Sequence, residues 1–119
     1  MKKILVLEDN QDIRDMVTEV LSYEDFNVKT ISSAAEFSPA IDEFQPHLVL
    51  LDLRLSDGHG GELCRALKSD PLRAHIPVII FTAYQNPSDD IMRFGCEFIL
   101  YKPFNITELI NGINRLLHA

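Results

Sequence analysis

Short apolar runs recur along the chain, at Ile4 to Leu7, Leu48 to Leu51 and Val78 to Phe81, and none of them alternates with polar residues. A strand covered on both faces reads this way, and sheets covered on both faces are typically parallel. A further run, Asn27-Val28-Lys29-Thr30-Ile31, alternates more and suits a strand nearer an edge, and another spans Phe98 to Tyr101. Between the runs the period becomes helical. Ile13, Met16, Val17, Val20 and Leu21 follow the spacing of one helix face. Near the end of the chain Ile106, Leu109, Ile110, Ile113, Leu116 and Leu117 form a second stripe, opened by Asn105 with Glu108 as a cap signal. Leu63, Ala66 and Leu67 mark a shorter helix that stops at Ser69-Asp70-Pro71.

Two helices are written less clearly. Ser33-Ala34-Ala35-Glu36 reads as a helix start, yet Pro39 would break a hydrogen bond unless the helix begins at Ser38-Pro39. The stretch from Ser88 to Phe94 is short and weakly periodic. The order is still strand then helix, five times over. Such alternation predicts an α/β fold: a five-stranded parallel sheet with right-handed crossovers and helices on both faces. There is no repeat, linker or low-complexity segment to divide it.

A length of 119 residues fits one domain, 1–119, able to bury a core of its own. With 46% hydrophobic and 24% charged residues the balance is that of an ordinary soluble protein. Cys64 and Cys96 lie far apart with no CxxC spacing, which points to reduced thiols and a cytoplasmic setting. The opening Met1-Lys2-Lys3 and its apolar run faintly resemble an export signal, but Glu8-Asp9 ends the run too early for export or membrane insertion. A formal charge of −7 disfavours direct nucleic-acid binding, which needs clustered Lys and Arg.

In open parallel sheets ligands bind beyond the carboxyl ends of the strands. Glu8 and Asp9 follow the first strand, Asp52 ends the third, Thr82 ends the fourth, and Lys102-Pro103 follows the fifth. Carboxylates brought within about 4 Å repel by roughly 4 kcal/mol per pair at an effective dielectric near 20, so the cluster calls for a cation. All-oxygen ligation favours Mg²⁺ or Mn²⁺ over zinc. Asp52, on the middle strand, is the natural nucleophile, since a carboxylate can accept a phosphoryl group without a general base. The charge of that transfer lies on peripheral oxygens, where Lys102, the Thr82 hydroxyl and the cation can meet it.

Blander readings exist for each residue. Glu8-Asp9 could merely cap the first helix, Asp52 could be a turn residue, and Thr82 alone would usually be structural. None of these accounts for the others at the same rim. His47, His59, His75 and His118 read as surface residues, Cys64 and Cys96 as small core residues, and Arg65, Lys68 and Arg73 as a solvated face.

Glu8-Asp9, the run Val49-Leu50-Leu51-Asp52-Leu53, Gly60, Ile76-Pro77-Val78-Ile79 leading to Thr82-Ala83, and Lys102-Pro103-Phe104 together resemble the signature of response-regulator receiver domains. The resemblance covers essentially the whole chain. It implies a flavodoxin-like doubly wound (βα)5 fold with strand order 2-1-3-4-5. It implies direct metal contacts from Asp9, Asp52 and the Arg54 backbone carbonyl, with Glu8 acting through water. Thr82 and Lys102 would contact the phosphoryl group on Asp52, and a cis peptide before Pro103 would aim Lys102 into the site. The implied partners are a histidine kinase or phosphotransfer protein and a downstream protein target, read through the face from about Ser88 to Ala119. A phosphorylation-dependent homodimer fits the same scheme. With no output domain after Ala119, the expectation is a stand-alone receiver or one truncated from a longer regulator.

Four departures bear on this. Ile99 stands where the family usually has an aromatic switch residue, flanked by Phe98 and Tyr101. Ser56 replaces the usual proline, which predicts a looser loop. Arg54 and Tyr84 put bulk at the mouth, where they are expected to slow water attack on a phospho-aspartate. The segment from Thr82 to Gly95 is about two residues shorter than the family pattern, trimming the fourth helix. Two other classes compete: a degenerate receiver that binds partners without phosphorylation, and an aspartyl-phosphate hydrolase. The hydrolase would place its nucleophile after the first strand with a second acid two residues on, which Glu8-Asp9-Asn10-Gln11 does not offer. A flavin site would need a phosphate loop there, and none is present.

Overall fold

The apolar runs become strands because each can be buried on both sides. The computed structural model of the chain describes residues 1–83 and 90–118. In chain order it contains β1 (Lys3–Leu7), α1 (Gln11–Tyr23), β2 (Asn27–Ile31), α2 (Phe37–Phe44), β3 (Leu48–Leu51), a small hairpin of β4 (Arg54–Leu55) and β5 (Gly58–His59), α3 (Gly60–Ser69), β6 (Val78–Thr82), β7 (Phe98–Tyr101) and α4 (Ile106–His118). The large sheet is parallel, in the order β2-β1-β3-β6-β7. Without the hairpin this is the order 2-1-3-4-5, so the fold is the five-stranded, doubly wound one expected.

Period two along each strand divides the core. Leu5, Leu7, Val49, Leu51, Val78 and Ile80 face α2 and α3 with Phe37, Ile41, Cys64 and Leu67. Ile4, Val6, Leu48, Leu50, Ile79 and Phe81 face the other way, toward Val17 and Leu21 of α1 and Leu109 and Ile113 of α4. Both helix stripes therefore close onto the sheet. Met16 and Ile106, read as members of those stripes, are more than a third exposed and sit at the margins.

The helix ends follow local chemistry. Asn10, and not Glu8 or Asp9, caps α1, its side-chain oxygen accepting from the Ile13 N–H at 3.0 Å. Asn105 accepts from the N–H groups of Thr107 and Glu108 at the start of α4, as its position predicts. The helix at Pro39 opens with a 3₁₀ turn over Ala34–Glu36 and becomes α-helical at Phe37. Pro39 then falls in the first turn, where its missing N–H would have had no intrahelical partner.

Three readings need correction. The helix expected from Ser88 to Phe94 is a 3₁₀ turn at Ile91–Phe94 among the described residues, capped by Asp90 and ended by Gly95 at φ +91°; Ser88, like Tyr84, lies outside the described residues. The segment after Asp52 is not a loose loop but the β4–β5 hairpin, closed by a Ser56-Asp57 turn. Lys68 and Arg73 are not a solvated face. The Lys68 ammonium donates to the carbonyls of Ala74 and Ile76 and pairs with Glu97, whose carboxylate accepts the Val78 N–H. Arg73 reaches Ser38 and Asp42 on α2. Arg65 is the most exposed of that trio, paired with Glu62 and lying over the Phe94 ring.

Cys64 and Cys96 are buried free thiols, as expected of small core residues. Burial pushes Cys64 up to about 12 and Cys96 up to about 11, so neither forms a thiolate near neutral pH. No helix among the described residues is long and apolar enough to cross a membrane.

Candidate functional site

The carboxyl ends of β1, β3, β6 and β7 meet at one rim, and the expected residues meet there with them. Glu8 follows β1 with its side chain only 1% exposed, Asp52 follows β3 at 6%, and Thr82 ends β6 at 1%. Asp9 is exposed at the mouth. Each of the three acids offers an oxygen, and those oxygens lie within 4.8 Å of one another.

Lys102 holds this group together. Its ammonium pairs with Glu8 Oε1 and lies 3.0 Å from Asp52 Oδ2. The peptide linking it to Pro103 is cis. The Lys102 N–H also donates to the Thr82 carbonyl at 2.8 Å, which ties β7 to β6 immediately below the site. Burial alone would lower the lysine's affinity for its proton, but its hydrogen bonds to Glu8 and Asp52 outweigh that and raise its pKa. Glu8 is held above the usual carboxylate range by burial, which exceeds the opposing effect of Lys102 and of the Asn10 N–H.

The other Asp52 oxygen, Oδ1, accepts the Arg54 N–H at 3.3 Å. Arg54 opens the hairpin and, with Asp52, Thr82 and Ala83, lines an open cleft of about 380 Å³. The Gly60 N–H returns to the Leu53 carbonyl at 2.6 Å, so the hairpin begins and ends against the backbone that carries Asp52. Beside the cleft, Ile13, Met16, Ala83, Lys102, Pro103 and Phe104 line a second, largely apolar groove.

The donor set is all oxygen, with no histidine or thiol among it. That suits a hard divalent cation such as Mg²⁺, which keeps several waters and takes one or two carboxylates. His59, the histidine nearest the rim in sequence, turns away from metal chemistry: its Nδ1 accepts the Gly61 N–H at the start of α3. Ile99, at the usual aromatic position, packs half-buried against the core on the α3 side. Sequence reasoning missed the hairpin and the role of Asp57 at its tip, although Ser56-Asp57-Gly58 is a run of turn-favouring residues.

Comparison with known proteins places this fold and rim in a family. A family profile described as the response regulator receiver domain matches residues 4–114. The chain belongs to that family. It is 35% identical over 118 residues to the transcriptional regulatory protein GltR of Pseudomonas aeruginosa, covering 98% of this chain and 49% of the relative. It is 32% identical to the DNA-binding response regulator MtrA of Mycobacterium tuberculosis, covering 98% of this chain and 50% of that protein. The chain therefore spans about half the length of these relatives. Among solved structures, the signal receiver domain of a DNA-binding response regulator from Colwellia psychrerythraea superposes with a TM-score of 0.92 at 28% identity, covering 100% of each chain.

Proposed function

We propose that the chain is a phosphorylation switch: Asp52 accepts a phosphoryl group from a phosphohistidine of a histidine kinase or phosphotransfer protein, and the altered surface is read by a downstream protein. The observation that carries this is the placement of Asp52, nearly buried on the floor of an open cleft, with Lys102 Nζ 3.0 Å from one oxygen and two further acids beside it.

The side chains of Asp9 and Asp52 and the Arg54 carbonyl would hold a Mg²⁺ ion, with Glu8 acting through water. When bound, the ion supplies positive charge to the peripheral phosphoryl oxygens. A carboxylate oxygen of Asp52 attacks phosphorus, the phosphorus–nitrogen bond of the donor breaks, and the electron pair leaves on the imidazole. Lys102 and the Thr82 hydroxyl stabilise the charge on the transferring group without reorganising far, since the fold already holds them at the rim. The apolar groove beside the cleft, with Ile13, Met16 and Phe104, offers an apolar surface next to the site for the phosphoryl donor to dock on. The formal charge of −7 disfavours direct contact of this domain with a phosphate backbone.

Incubation with acetyl phosphate and Mg²⁺ tests the switch by intact mass. The expected result is a single gain of about 80 Da, the mass of one phosphoryl group, that disappears in Asp52→Ala. No gain with any donor would favour the phosphorylation-independent interaction module instead, a reading kept open by Ile99, which offers no ring to move. Arg54 at the mouth is expected to shield the phospho-aspartate from water. Arg54→Asn should then shorten the phosphoryl half-life several-fold, and a longer or unchanged half-life would contradict the shielding.

A further inference from the structure

The hairpin after Asp52 touches two places at once. Its first arm carries Arg54, whose N–H reaches Asp52 Oδ1. Its tip carries Asp57, whose carboxylate accepts the Ala34 N–H at 2.7 Å through Oδ1 and the Ala35 N–H at 3.2 Å through Oδ2. Those two amides open the 3₁₀ turn that leads into α2. Gly58 beside Asp57 allows the approach, since a Cβ there would lie 2.9 Å from the Ala34 Cβ. At its base the hairpin has little freedom, because Leu53 is fully buried and a Cβ at Gly60 would strike the Asp52 carbonyl. Leu55 packs onto the core beneath.

The hairpin is thus a short rigid arm fixed at the base to the Asp52 backbone and at the tip to the entrance of α2. Two residues per strand supply too little of a ladder to fix such an arm alone. The tip contact with Asp57 supplies the second anchor. We propose that Asp57 is a positioning residue for the Asp52 site: by clamping the hairpin tip to Ala34 and Ala35, it holds the Arg54 backbone in register with Asp52 and couples occupancy of the site to the β2–α2 connection. This rests on the proposed receiver chemistry, in which the Arg54 carbonyl and Asp52 share a divalent cation. Coupling of this kind is reciprocal. If the clamp favours the occupied site, occupancy must strengthen the clamp, so the entrance of α2 becomes a second surface that reports phosphorylation, away from the β7–α4 face.

Two measurements on the intact chain test this, neither of them turnover. Mg²⁺ affinity, by calorimetry, is compared for wild type, Asp57→Asn and Asp57→Ala. Asparagine keeps one acceptor oxygen and alanine neither, so the dissociation constant is expected to rise in that order, by about five-fold or more for alanine, the low end of site-to-site coupling. A general loss of fold would not produce that grading, and the asparagine variant is near-isosteric. In wild type, Mg²⁺ with beryllium fluoride as the phosphoryl mimic is expected to slow hydrogen exchange at the Ala34 and Ala35 amides. Unchanged Mg²⁺ affinity in both variants, or unchanged exchange at those amides, would overturn the clamp alone. Failure of wild type to bind Mg²⁺ at all would overturn the receiver chemistry and the clamp with it.

Discussion

Lys102→Met is expected to move two properties of the site in opposite directions: phosphoryl incorporation falls by about a hundred-fold or more, while Mg²⁺ binds more tightly. The lysine ammonium occupies the electrostatic position that a cation would share, 3.0 Å from Asp52 Oδ2 and paired with Glu8. Removing it leaves three acids whose oxygens lie within 4.8 Å of one another, and only a metal to offset them. Two like charges 4 Å apart repel by about 4 kcal/mol at an effective dielectric near 20; that is a ceiling, and the expected gain in Mg²⁺ affinity is roughly ten-fold. The transfer step loses the group that meets the phosphoryl oxygens, so the tighter metal does not restore it. Equal losses in metal binding and phosphorylation would show that Lys102 merely holds the rim in shape.

The same variant should be unstable without metal, and its pH dependence has a definite sign. Glu8 is nearly fully buried, and its carboxyl already sits above the ordinary 4.5 because of burial. Breaking a buried ion pair by removing one partner costs about 3–5 kcal/mol, since the remaining charge is uncompensated. A carboxyl whose folded pKa lies above its unfolded value contributes stability below the unfolded value and loses it as pH rises through the folded one. Lys102→Met therefore gains stability relative to wild type as pH falls from neutral toward 4.5, by protonating Glu8. Urea midpoints across that window check it. Saturating Mg²⁺ should close much of the gap at neutral pH, and a variant whose deficit widens on acidification would contradict the account.

The sheet and the rim were legible in the sequence for one reason: both depend on residue identity at strand positions. Leu48 to Leu51 is short and apolar throughout, as a strand buried on two faces must be, and the residue that follows such a strand emerges at the carboxyl edge, which places Asp52. The same logic places Glu8 and Thr82. What was not legible depends on contacts between segments far apart in sequence. Lys68 looks like any helix-surface lysine until the chain after α3 folds back and offers the carbonyls of Ala74 and Ile76. Asp57 looks like a turn residue, which it is, but its partners Ala34 and Ala35 lie more than twenty positions upstream. Periodicity also could not separate an α-helix from the 3₁₀ turn at Ile91–Phe94, because a single turn contains no second repeat to measure.

Gly60→Ala is expected to be among the most damaging single-methyl additions in the molecule. A Cβ on Gly60 would lie 1.8 Å from the Asp52 carbonyl oxygen, 2.8 Å from its carbon and 3.1 Å from the Leu53 Cα. All three are backbone atoms of the strand end that presents Asp52, and the Gly60 N–H is already committed to the Leu53 carbonyl at 2.6 Å. Nothing flexible stands in the way to rotate aside, so either α3 lifts or the end of β3 moves. Overpacking a well-filled interior costs about 1–3 kcal/mol and occasionally more, and a clash confined to backbone belongs at or above the upper end. Gly61 and Gly112 supply the comparison. At Gly61 the obstruction is the Phe94 ring at 2.5 Å, a side chain, but one held between the Arg65 and Arg93 guanidinium groups at 5.1 and 4.4 Å. At Gly112 it is the edge of Phe98 at 2.9 Å, a half-buried ring with room to yield, and alanine gains about 1 kcal/mol of helix propensity there. Urea denaturation should therefore rank the losses Gly60→Ala, then Gly61→Ala, then Gly112→Ala, the last near neutral. Because the Gly60 clash bears on the Asp52 carbonyl itself, the first variant should also lose phosphoryl incorporation out of proportion to its stability under conditions where it remains folded. A Gly60→Ala protein within about 1 kcal/mol of wild type would mean that α3 can move away from β3 freely, and that the strand end is not the fixed point on which the site is built.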